Sequence, residues 1–185
     1  RLRDYFTKHN LFYKYQYGFR ENHSTNYALL DAVEEIYEKL NEKMQCVGIF
    51  LDLQKAFDTI SHNILFDKLE YYGIRGTILN WFKSYLDNRK QITYINTTKS
   101  RELLVNCGVP QGSVLGPLLF IICVNDMNNA FKTVNPRIFA DDTSLFFFEK
   151  DIDKLFDLAN SELSLLEDWL LANKLSLNIG ADKAV

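Results

Sequence analysis

The chain has 185 residues, enough for one domain with its own hydrophobic core, and its formal net charge is −3. Hydrophobic residues make up 47% of the chain and aromatic residues 14%, a composition that excludes intrinsic disorder. The negative net charge does not favour a nucleic-acid partner, because nucleic acids bind to a basic protein face. A local basic groove would still be compatible with this net charge. The longest apolar run, residues 114–124, is too short to cross a membrane.

The chain contains three cysteines, Cys46, Cys107 and Cys123, and no pair of them has metal-ligand spacing. All three lie in apolar stretches, so we expect buried free thiols in a reducing compartment. The chain begins without methionine and ends just after a strand-like segment. We therefore expect it to be a fragment of a longer protein.

The first half of the chain is predicted to be mainly helical. Residues 1–9 have the pattern of a helix end, and residues 10–23 that of a loop. Ser24 or Thr25 can cap a helix that runs to about residue 44. Two further helices are predicted at about residues 62–72 and 77–86, with a glycine-containing turn between them. The capped helix has an apolar stripe that we expect in the core, formed by Ala28, Leu29, Ala32, Val33, Ile36, Tyr37 and Leu40.

Residues 46–51 form a nearly continuous apolar run that ends at Asp52, a pattern typical of a buried strand. A carboxylate in that place needs a partner or a solvated edge, and a helix N-cap is an equally compatible interpretation. Residues 91–95 and 102–105 predict a β-hairpin around a polar tip. A loop at residues 108–113 precedes a helix predicted at about residues 115–129, with Pro117 in its first turn.

Two adjacent acids, Asp141 and Asp142, lie between the short apolar runs 137–140 and 145–148. This pattern predicts two strands joined by a tight turn, with the acids at its tip. Neighbouring carboxylates repel each other, and a divalent metal is the usual partner that stabilises such a pair. Aspartate is also a common turn residue, so the pair taken alone favours an ordinary turn.

A long helix is predicted after residue 151, and residues 175–178 then have the pattern of another strand. The helix carries an apolar stripe that we expect to be buried, formed by Ile152, Leu155, Phe156, Ala159, Leu163, Leu166, Trp169 and Leu170.

If the strands before Asp52 and around Asp141 and Asp142 are antiparallel neighbours, the three carboxylates converge at one sheet edge. Three carboxylates can hold two divalent cations roughly 3.5–4 Å apart. One cation would activate an attacking hydroxyl, and the other would hold a triphosphate and stabilise the leaving pyrophosphate. Hard oxygen ligands favour Mg²⁺ over zinc.

Several segments, which follow one another in the same order as the motifs of the family, resemble the reverse transcriptase domain of a non-LTR retrotransposon of the LINE-like, jockey or CR1 type. The matching segments are residues 16–20 with Ser24 and Thr25, residues 50–58, 73–76, 81–86 and 89–91, residues 108–117, residues 139–142, and residues 173–178 with Lys183.

The resemblance implies an α+β fold, a right-hand polymerase palm in which an antiparallel sheet packs on helices, with part of the fingers. Residues 1–45 would be helices on the fingers side and residues 46–185 mainly palm, in a single partial domain. The thumb and the upstream fingers would be absent, which makes activity of the isolated chain doubtful.

The resemblance also implies an RNA-directed DNA polymerase that transfers deoxynucleotides to a primer 3′-hydroxyl. The implied partners are an RNA template, a DNA primer and dNTPs, with two Mg²⁺ ions that Mn²⁺ can replace. Asp52 and Asp141 would bind both metals, with Asp142 supporting them. An intracellular location, in nucleus and cytoplasm, is expected from the same resemblance.

Further site residues follow from the same matching positions. Phe57 would be a steric gate that excludes a ribose 2′-hydroxyl, with core packing as the alternative. The backbone near Lys55 and Ala56 would receive the triphosphate. The remaining assignments are Gln111 and Gly112 at the template base or incoming nucleotide, Arg20 at a phosphate, and Lys183 as a proton donor to pyrophosphate.

Three alternatives stay open. An intron maturase is a related reverse transcriptase, although residues 81–86 favour the retrotransposon group. A catalytically inactive palm could bind nucleic acid or protein, but intact Asp52, Asp141, Asp142 and Gln111 argue against it. A phosphotransferase on a doubly wound fold would need a parallel sheet, which the paired strands at 91–105 and 137–148 oppose.

Overall fold

The computed structural model describes residues 1–178 as a mixture of helices and antiparallel strands. The helices are α1 (Leu2–Lys8), α2 (Thr25–Asn41), α3 (His62–Tyr71), α4 (Gly76–Leu86), α5 (Gly116–Cys123) and α6 (Ile152–Asn173), with a 3₁₀ turn at Met127–Ala130. The strands are β1 (Gln45–Asp52), β2 (Lys90–Gln91), β3 (Tyr94–Ile95), β4 (Thr98–Lys99), β5 (Leu103–Leu104), β6 (Arg137–Phe139) and β7 (Asp142–Glu149). Among residues 1–178, no helix is long and apolar enough to span a bilayer.

The central sheet has the strand order β1-β7-β6 and is antiparallel throughout its three strands. β1 pairs with β7 along its full length, from Gln45 opposite Glu149 to Asp52 opposite Asp142. β6 and β7 form the predicted hairpin, and Asp141 lies in its turn. This arrangement is the predicted α+β architecture and excludes the doubly wound parallel alternative.

The core lies between the central sheet and the helices α3, α5 and α6. α5 is apolar on all sides and is completely buried, as expected for a helix enclosed by other elements. Phe120 of α5 and Phe147 of β7 are among the largest fully buried side chains. Burial of side chains of this size stabilises a fold by about 1.5–3 kcal/mol each, so this layer fixes the sheet on its helices.

The prediction of a fully buried β1 is wrong. β1 is an edge strand, and its apolar residues Val47, Ile49 and Leu51 are half-buried. Phe50 is 74% exposed and only meets the edge of Phe146, at 6.0 Å between ring centroids. An edge strand has a pairing partner on one side only, so its apolar run does not require complete burial.

The apolar stripe of α2 is also less buried than predicted. Ala32 is buried, whereas Leu29, Tyr37 and Leu40 are exposed, by 64% and 66% for the first two. The helix ends at Asn41 rather than near residue 44. α2 packs on the sheet along a narrow strip, where Arg137 of β6 binds Asp31 at 2.6 Å and Glu35 at 2.7 Å.

The helix predicted at residues 115–129 is two elements, α5 and the 3₁₀ turn. Asn125 lies between them and uses its side chain for tertiary hydrogen bonds. Its carbonyl oxygen accepts from Tyr13 N at 2.8 Å, and its amide donates to Leu11 O and to the Tyr72 hydroxyl. Polar side chains that find such partners compete with continuation of a helix.

Two further expectations need correction. In α6, Leu155, Ala159, Leu166 and Leu170 are buried as predicted, but Ile152 and Phe156 in the first turn are exposed. Ile152 and Phe156 are four residues apart and share one side of the helix, whereas the buried Leu155 and Ala159 lie on the neighbouring side that faces the core. Residues 175–178 form an isolated bridge between Leu177 and Leu53 rather than a full strand.

The predicted hairpin at residues 91–105 is present as an interrupted arm. β2 pairs with β5, and β3 pairs with β4 closer to the tip. All eight strand residues of the arm are exposed, including Tyr94 and Ile95. The interruption reflects this exposure, because no core contact holds the two ladders in one continuous register.

The three thiols differ in accessibility, which corrects the expectation that all are buried. Cys123 is buried, Cys46 is half-buried and Cys107 is exposed. Burial raises the pKa of the Cys123 thiol to about 11. Since the thiolate is the nucleophile, Cys123 is protected from alkylation by both its pKa and its packing.

We expect iodoacetamide at about pH 8 to alkylate Cys107 in the folded chain and to leave Cys123 unmodified. Peptide mass mapping after short exposure measures this difference directly. Denaturant should make Cys123 reactive, and Cys107→Ser should remove the fast-reacting site. Alkylation of Cys123 at the rate of Cys107 in the folded chain would contradict the packing of α5.

Candidate active site

The β1–β7 ladder brings Asp52 and Asp142 together. They are directly opposite each other at the end of the ladder, and Asp141 precedes Asp142 in the β6–β7 turn. The turn depends on Ala140, which has a left-handed backbone with φ 58°. Alanine rarely adopts this conformation, so the surrounding structure must hold it.

Asp141 is half-buried, whereas the neighbouring Asp142 is exposed. Asp141 lines a small, mainly apolar cavity with Leu53, Met127, Thr143 and residues of α6. Within residues 1–178, no three or more His, Cys, Asp or Glu side chains are grouped closely enough to hold a metal ion. The carboxylate oxygens of Asp52, Asp141 and Asp142 are nonetheless the ligands that Mg²⁺ prefers, so these three acids fit that ion chemically. The metal-ligand roles of the three acids stay a prediction.

Asn178 contacts Asp52, which sequence reasoning missed. Its side-chain amide donates to Asp52 Oδ2 at 2.9 Å, and its main-chain N–H donates to Asp52 O at 2.8 Å. The adjacent bridge between Leu53 and Leu177 fixes the same segment beside the end of β1. Asn178 belongs to a segment that supports the family resemblance, and its place at the end of the strand-like pattern was the available signal.

The loop after β1 contains a tight turn at Lys55. Lys55 has a left-handed backbone with φ 48°, and its carbonyl oxygen accepts from Asp58 N at 2.8 Å. The Lys55 side chain is exposed, and Ala56 is buried in the core. The predicted contact with a triphosphate would therefore use main-chain groups of this turn, as the sequence analysis expected.

Phe57 is held between two other aromatic rings. It stacks on the fully buried Phe120 at 4.7 Å and meets Phe19 edge-on at 6.1 Å between centroids. Its carbonyl oxygen accepts from Val109 N at 2.7 Å. These contacts support the alternative that Phe57 packs in the core. Because the ring is only half-buried, packing and a sugar contact are compatible.

Gln111 contacts the loop after β1 through Asp58. The Gln111 side-chain amide donates to Asp58 Oδ1 at 2.8 Å. The same two loops are joined where Gly108 N donates to Ile60 O at 2.7 Å, and where a ring nitrogen of His62 lies 2.7 Å from Gly108 O. Asp58 ends a segment that supports the resemblance, but its partner could not be inferred without the fold.

A cleft of about 850 Å³ opens beside these loops. Its walls are Asp58, residues 107–111 and the arm formed by β2 to β5, which contributes Arg89 and Lys90. Lys90 is paired with Glu102 at 2.9 Å, and Asp58 also lines the cleft. The cleft therefore combines both signs of charge, and the local basic groove stays a prediction.

The Arg20 side chain donates hydrogen bonds to main-chain carbonyl oxygens. Its Nη1 donates to Tyr13 O at 3.0 Å and to Gln16 O at 3.1 Å, and its guanidinium lies over the Phe12 ring. Burial lowers the pKa of Arg20 from its usual value. The phosphate contact expected for Arg20 stays a prediction, as does the role of Lys183, which lies outside the described residues.

An antiparallel sheet with paired acids at a hairpin turn, packed on helices, is the arrangement that the sequence resemblance implied. The family described as reverse transcriptase (RNA-dependent DNA polymerase) matches residues 1–183. The chain belongs to this family, and the resemblance is confirmed.

Two of the similar proteins come from mobile elements of fruit flies. The probable RNA-directed DNA polymerase from transposon BS of Drosophila melanogaster is 33% identical over 182 residues, 91% of this chain and 19% of that protein. The RNA-directed DNA polymerase from mobile element jockey of Drosophila funebris is 31% identical over 174 residues, 90% of this chain and 19% of that protein. The chain thus spans about a fifth of the length of these relatives, at 19% of each.

Two glycines in the loop before α5 allow a matched test of its backbone. Gly108 and Gly112 both have left-handed backbones, with φ 85° and 75°. A Cβ on Gly108 would lie 2.7 Å from Asp58 O, whereas a Cβ on Gly112 would meet nothing within 4 Å. Gly112 thus borders open space in which a ligand could approach the main chain.

We expect Gly112→Ala to lower the free energy of unfolding by about 1–2 kcal/mol, the cost of a left-handed alanine. Gly108→Ala should lower it by about 2–5 kcal/mol, because overlap with Asp58 adds to that cost. Urea unfolding of the two variants measures the difference. Equal losses would show that the loop does not pack on Asp58 as described.

Proposed function

We propose that the chain forms the catalytic core of an RNA-directed DNA polymerase of a non-LTR retrotransposon. It would join deoxynucleotides to a DNA primer 3′-hydroxyl on an RNA template. The observation that carries the proposal is the register that sets Asp52 opposite Asp142, with Asp141 in the adjacent turn. Membership of the reverse transcriptase family supports the same reaction.

In this proposal the central sheet with α3, α5 and α6 is the palm, and α2 with the arm belongs to the fingers. The palm carries all three acids, and the arm forms one wall of the cleft that Asp58 and residues 107–111 also line. A template strand in that cleft would pass Arg89, whose charge suits its phosphates.

Asp52, Asp141 and Asp142 would hold two Mg²⁺ ions. When bound, the ions would activate the primer hydroxyl and stabilise the leaving pyrophosphate. The ladder between β1 and β7 supplies the fixed spacing of Asp52 and Asp142. Asn178 restrains the Asp52 carboxylate through its amide, so one ligand is oriented before metal arrives.

The incoming nucleotide would lie against the loop after β1. Main-chain groups at Lys55 and Ala56 would face its phosphates, and Phe57 would lie under its sugar. Because Phe120 backs Phe57 at 4.7 Å, the Phe57 ring cannot retreat to admit a 2′-hydroxyl. Gln111, anchored by Asp58 at 2.8 Å, would contact the base or template from the opposite loop.

The metal site can be tested on the 185-residue chain with Mn²⁺, which replaces Mg²⁺ and is visible by electron spin resonance. We expect Mn²⁺ binding to increase when a dNTP and a primer–template are added. Asp141→Asn should lower the affinity at least about tenfold, because it removes a charged ligand. The matched control is Asp151→Asn, at the N-cap of α6, where asparagine caps equally well.

Equal Mn²⁺ binding by the chain and by Asp141→Asn would remove Asp141 from the metal site. Primer extension then separates catalysis from mere binding. The assay uses the jockey polymerase with this chain in place of its matching segment. An active hybrid that Asp141→Asn inactivates supports the polymerase. Full activity with this substitution would show that the assignment of Asp141 to the metal site is wrong, whereas a folded hybrid without activity would favour the alternative of a non-catalytic binding module.

The sugar gate is tested with Phe57→Val in the same hybrid. We expect the ratio of kcat/KM for ribonucleotides to that for deoxynucleotides to rise on the order of 10- to 200-fold. The ratio is independent of the folded fraction, so loss of packing on Phe120 does not disturb it. Phe19→Val is the matched control, since Phe19 meets Phe57 only edge-on. An unchanged ratio in Phe57→Val would leave Phe57 with core packing alone.

A further inference from the structure

The turn that carries Asp141 is braced by a segment far from it in sequence. Residues 15–17 run alongside β6 in the parallel direction, with a bridge between Gln16 and Ile138. Ile138 N donates to Tyr15 O at 2.9 Å, and Tyr17 N donates to Ile138 O at 2.7 Å. The segment thus adds to the free edge of β6, immediately before the turn.

Gln16 reaches from this segment into the turn. Its side chain is completely buried, and its Oε1 accepts from Ala140 N at 3.3 Å and from Gly18 N at 2.8 Å. Ala140 is the residue with the left-handed backbone, and Asp141 follows it. A single acceptor oxygen therefore ties the strained position of the turn to the neighbouring segment.

Two further contacts show that the brace is closely fitted. Gly18 packs so tightly on the main chain of Ala140 that a Cβ at residue 18 would overlap Ala140 N. On the other side, Arg20 donates to Gln16 O at 3.1 Å and to Tyr13 O at 3.0 Å, which holds the main chain of the segment. The restraint thus runs from Arg20 through Gln16 to Ala140.

The Gln16 side chain is asymmetric in a way that identifies its useful atom. Its Oε1 accepts two hydrogen bonds, whereas its buried Nε2 has no hydrogen-bond partner among the described residues. A buried glutamine with no specific role would be expected to have hydrogen-bond partners at both its oxygen and its nitrogen. The acceptor oxygen is therefore the group that the turn requires.

We propose that Gln16 is a positioning residue for the polymerase reaction, which fixes the Ala140–Asp141 turn through its side-chain carbonyl oxygen. The proposal rests on the proposed function for its consequence, which is correct placement of the Asp141 carboxylate for metal. It gives a physical role to the segment at residues 16–20, whose resemblance to the family had no assigned chemistry beyond Arg20.

The test compares two substitutions of similar size in the 185-residue chain. Gln16→Met removes the acceptor and leaves the Ala140 and Gly18 amides without it. Gln16→Glu keeps an acceptor oxygen and replaces the unpartnered Nε2 by a second carboxyl oxygen. The measurements are made at about pH 6, because burial favours the protonated, uncharged form of this carboxyl there. Gly18→Ala disturbs the turn through overlap of the new Cβ with Ala140 N and leaves the Gln16 side chain itself unsubstituted. The control is Glu162→Gln. This substitution replaces a buried carboxylate by an amide and weakens the hydrogen bonds that it accepts from Lys132 N, Thr133 N and the Thr133 hydroxyl.

Two quantities are measured, namely hydrogen exchange at the Ala140 amide by NMR and the dissociation constant for Mn²⁺ with dNTP and primer–template. We expect Gln16→Met and Gly18→Ala to speed Ala140 exchange about tenfold or more. They should also weaken Mn²⁺ binding at least about tenfold. Gln16→Glu should stay near the unsubstituted chain in both, and Glu162→Gln should lower stability without weakening Mn²⁺ binding.

Unchanged Ala140 exchange in Gln16→Met would overturn the proposal, as would equal loss in Gln16→Met and Gln16→Glu. Failure of Gln16→Met to fold leaves the decision to Gln16→Glu and Gly18→Ala. If the unsubstituted chain and Asp141→Asn bind Mn²⁺ equally, the proposed metal site fails. The exchange measurement still decides whether Gln16 fixes the turn.

Discussion

The register between β1 and β7 is the constraint on which the site depends. Asp52 and Asp142 lie opposite each other because each residue of β1 pairs with a defined residue of β7, beginning at Gln45 and Glu149. A shift by one residue would turn every side chain of a strand to the other face. Leu145 and Phe147 lie on the same face of β7 and are fully buried, so such a shift is costly because it would turn both away from the core. The hydrophobic core therefore sets the position of the acids, although none of the acids belongs to it.

The second constraint is the joining of loops around the acids. Glycine at residue 108 lets the loop before α5 lie against Asp58, and the hydrogen bond from Gln111 to Asp58 closes the contact. The contact between Asn178 and Asp52 does the same for the segment after α6. These contacts join segments that are 53 and 126 residues apart in sequence. A site assembled in this way needs the whole domain, because no local segment carries enough of it.

Sequence reasoning was most successful where the signal is local. The limits of α3 and α4, the β6–β7 turn and the loop at residues 108–113 follow from glycine, aspartate and apolar spacing within a few residues. It failed where burial depends on neighbours. Phe50 and Leu29 belong to convincing apolar patterns, yet they are exposed because β1 is an edge strand and α2 has a narrow contact with the sheet. The net charge could not locate individual charges either: Arg89 lines the cleft with Asp58, and Lys90 is paired with Glu102 at 2.9 Å.

The residues that the sequence analysis left without a role share a physical property. Gln16, Asp58 and Asn178 are polar, and each binds a residue or turn of the predicted site rather than an expected ligand. Polar partners of this kind have no periodicity, because their spacing reflects the fold and not a helix or strand. A family motif therefore combines two kinds of residue that look alike in sequence, those that would face substrate and those that hold them. Separating the two requires the hydrogen-bond partners. By this criterion, Gln16 and Gly18 belong with the supporting residues, because their contacts are with the turn at Ala140. Arg20 also donates to main chain, and its contact with a phosphate stays a prediction.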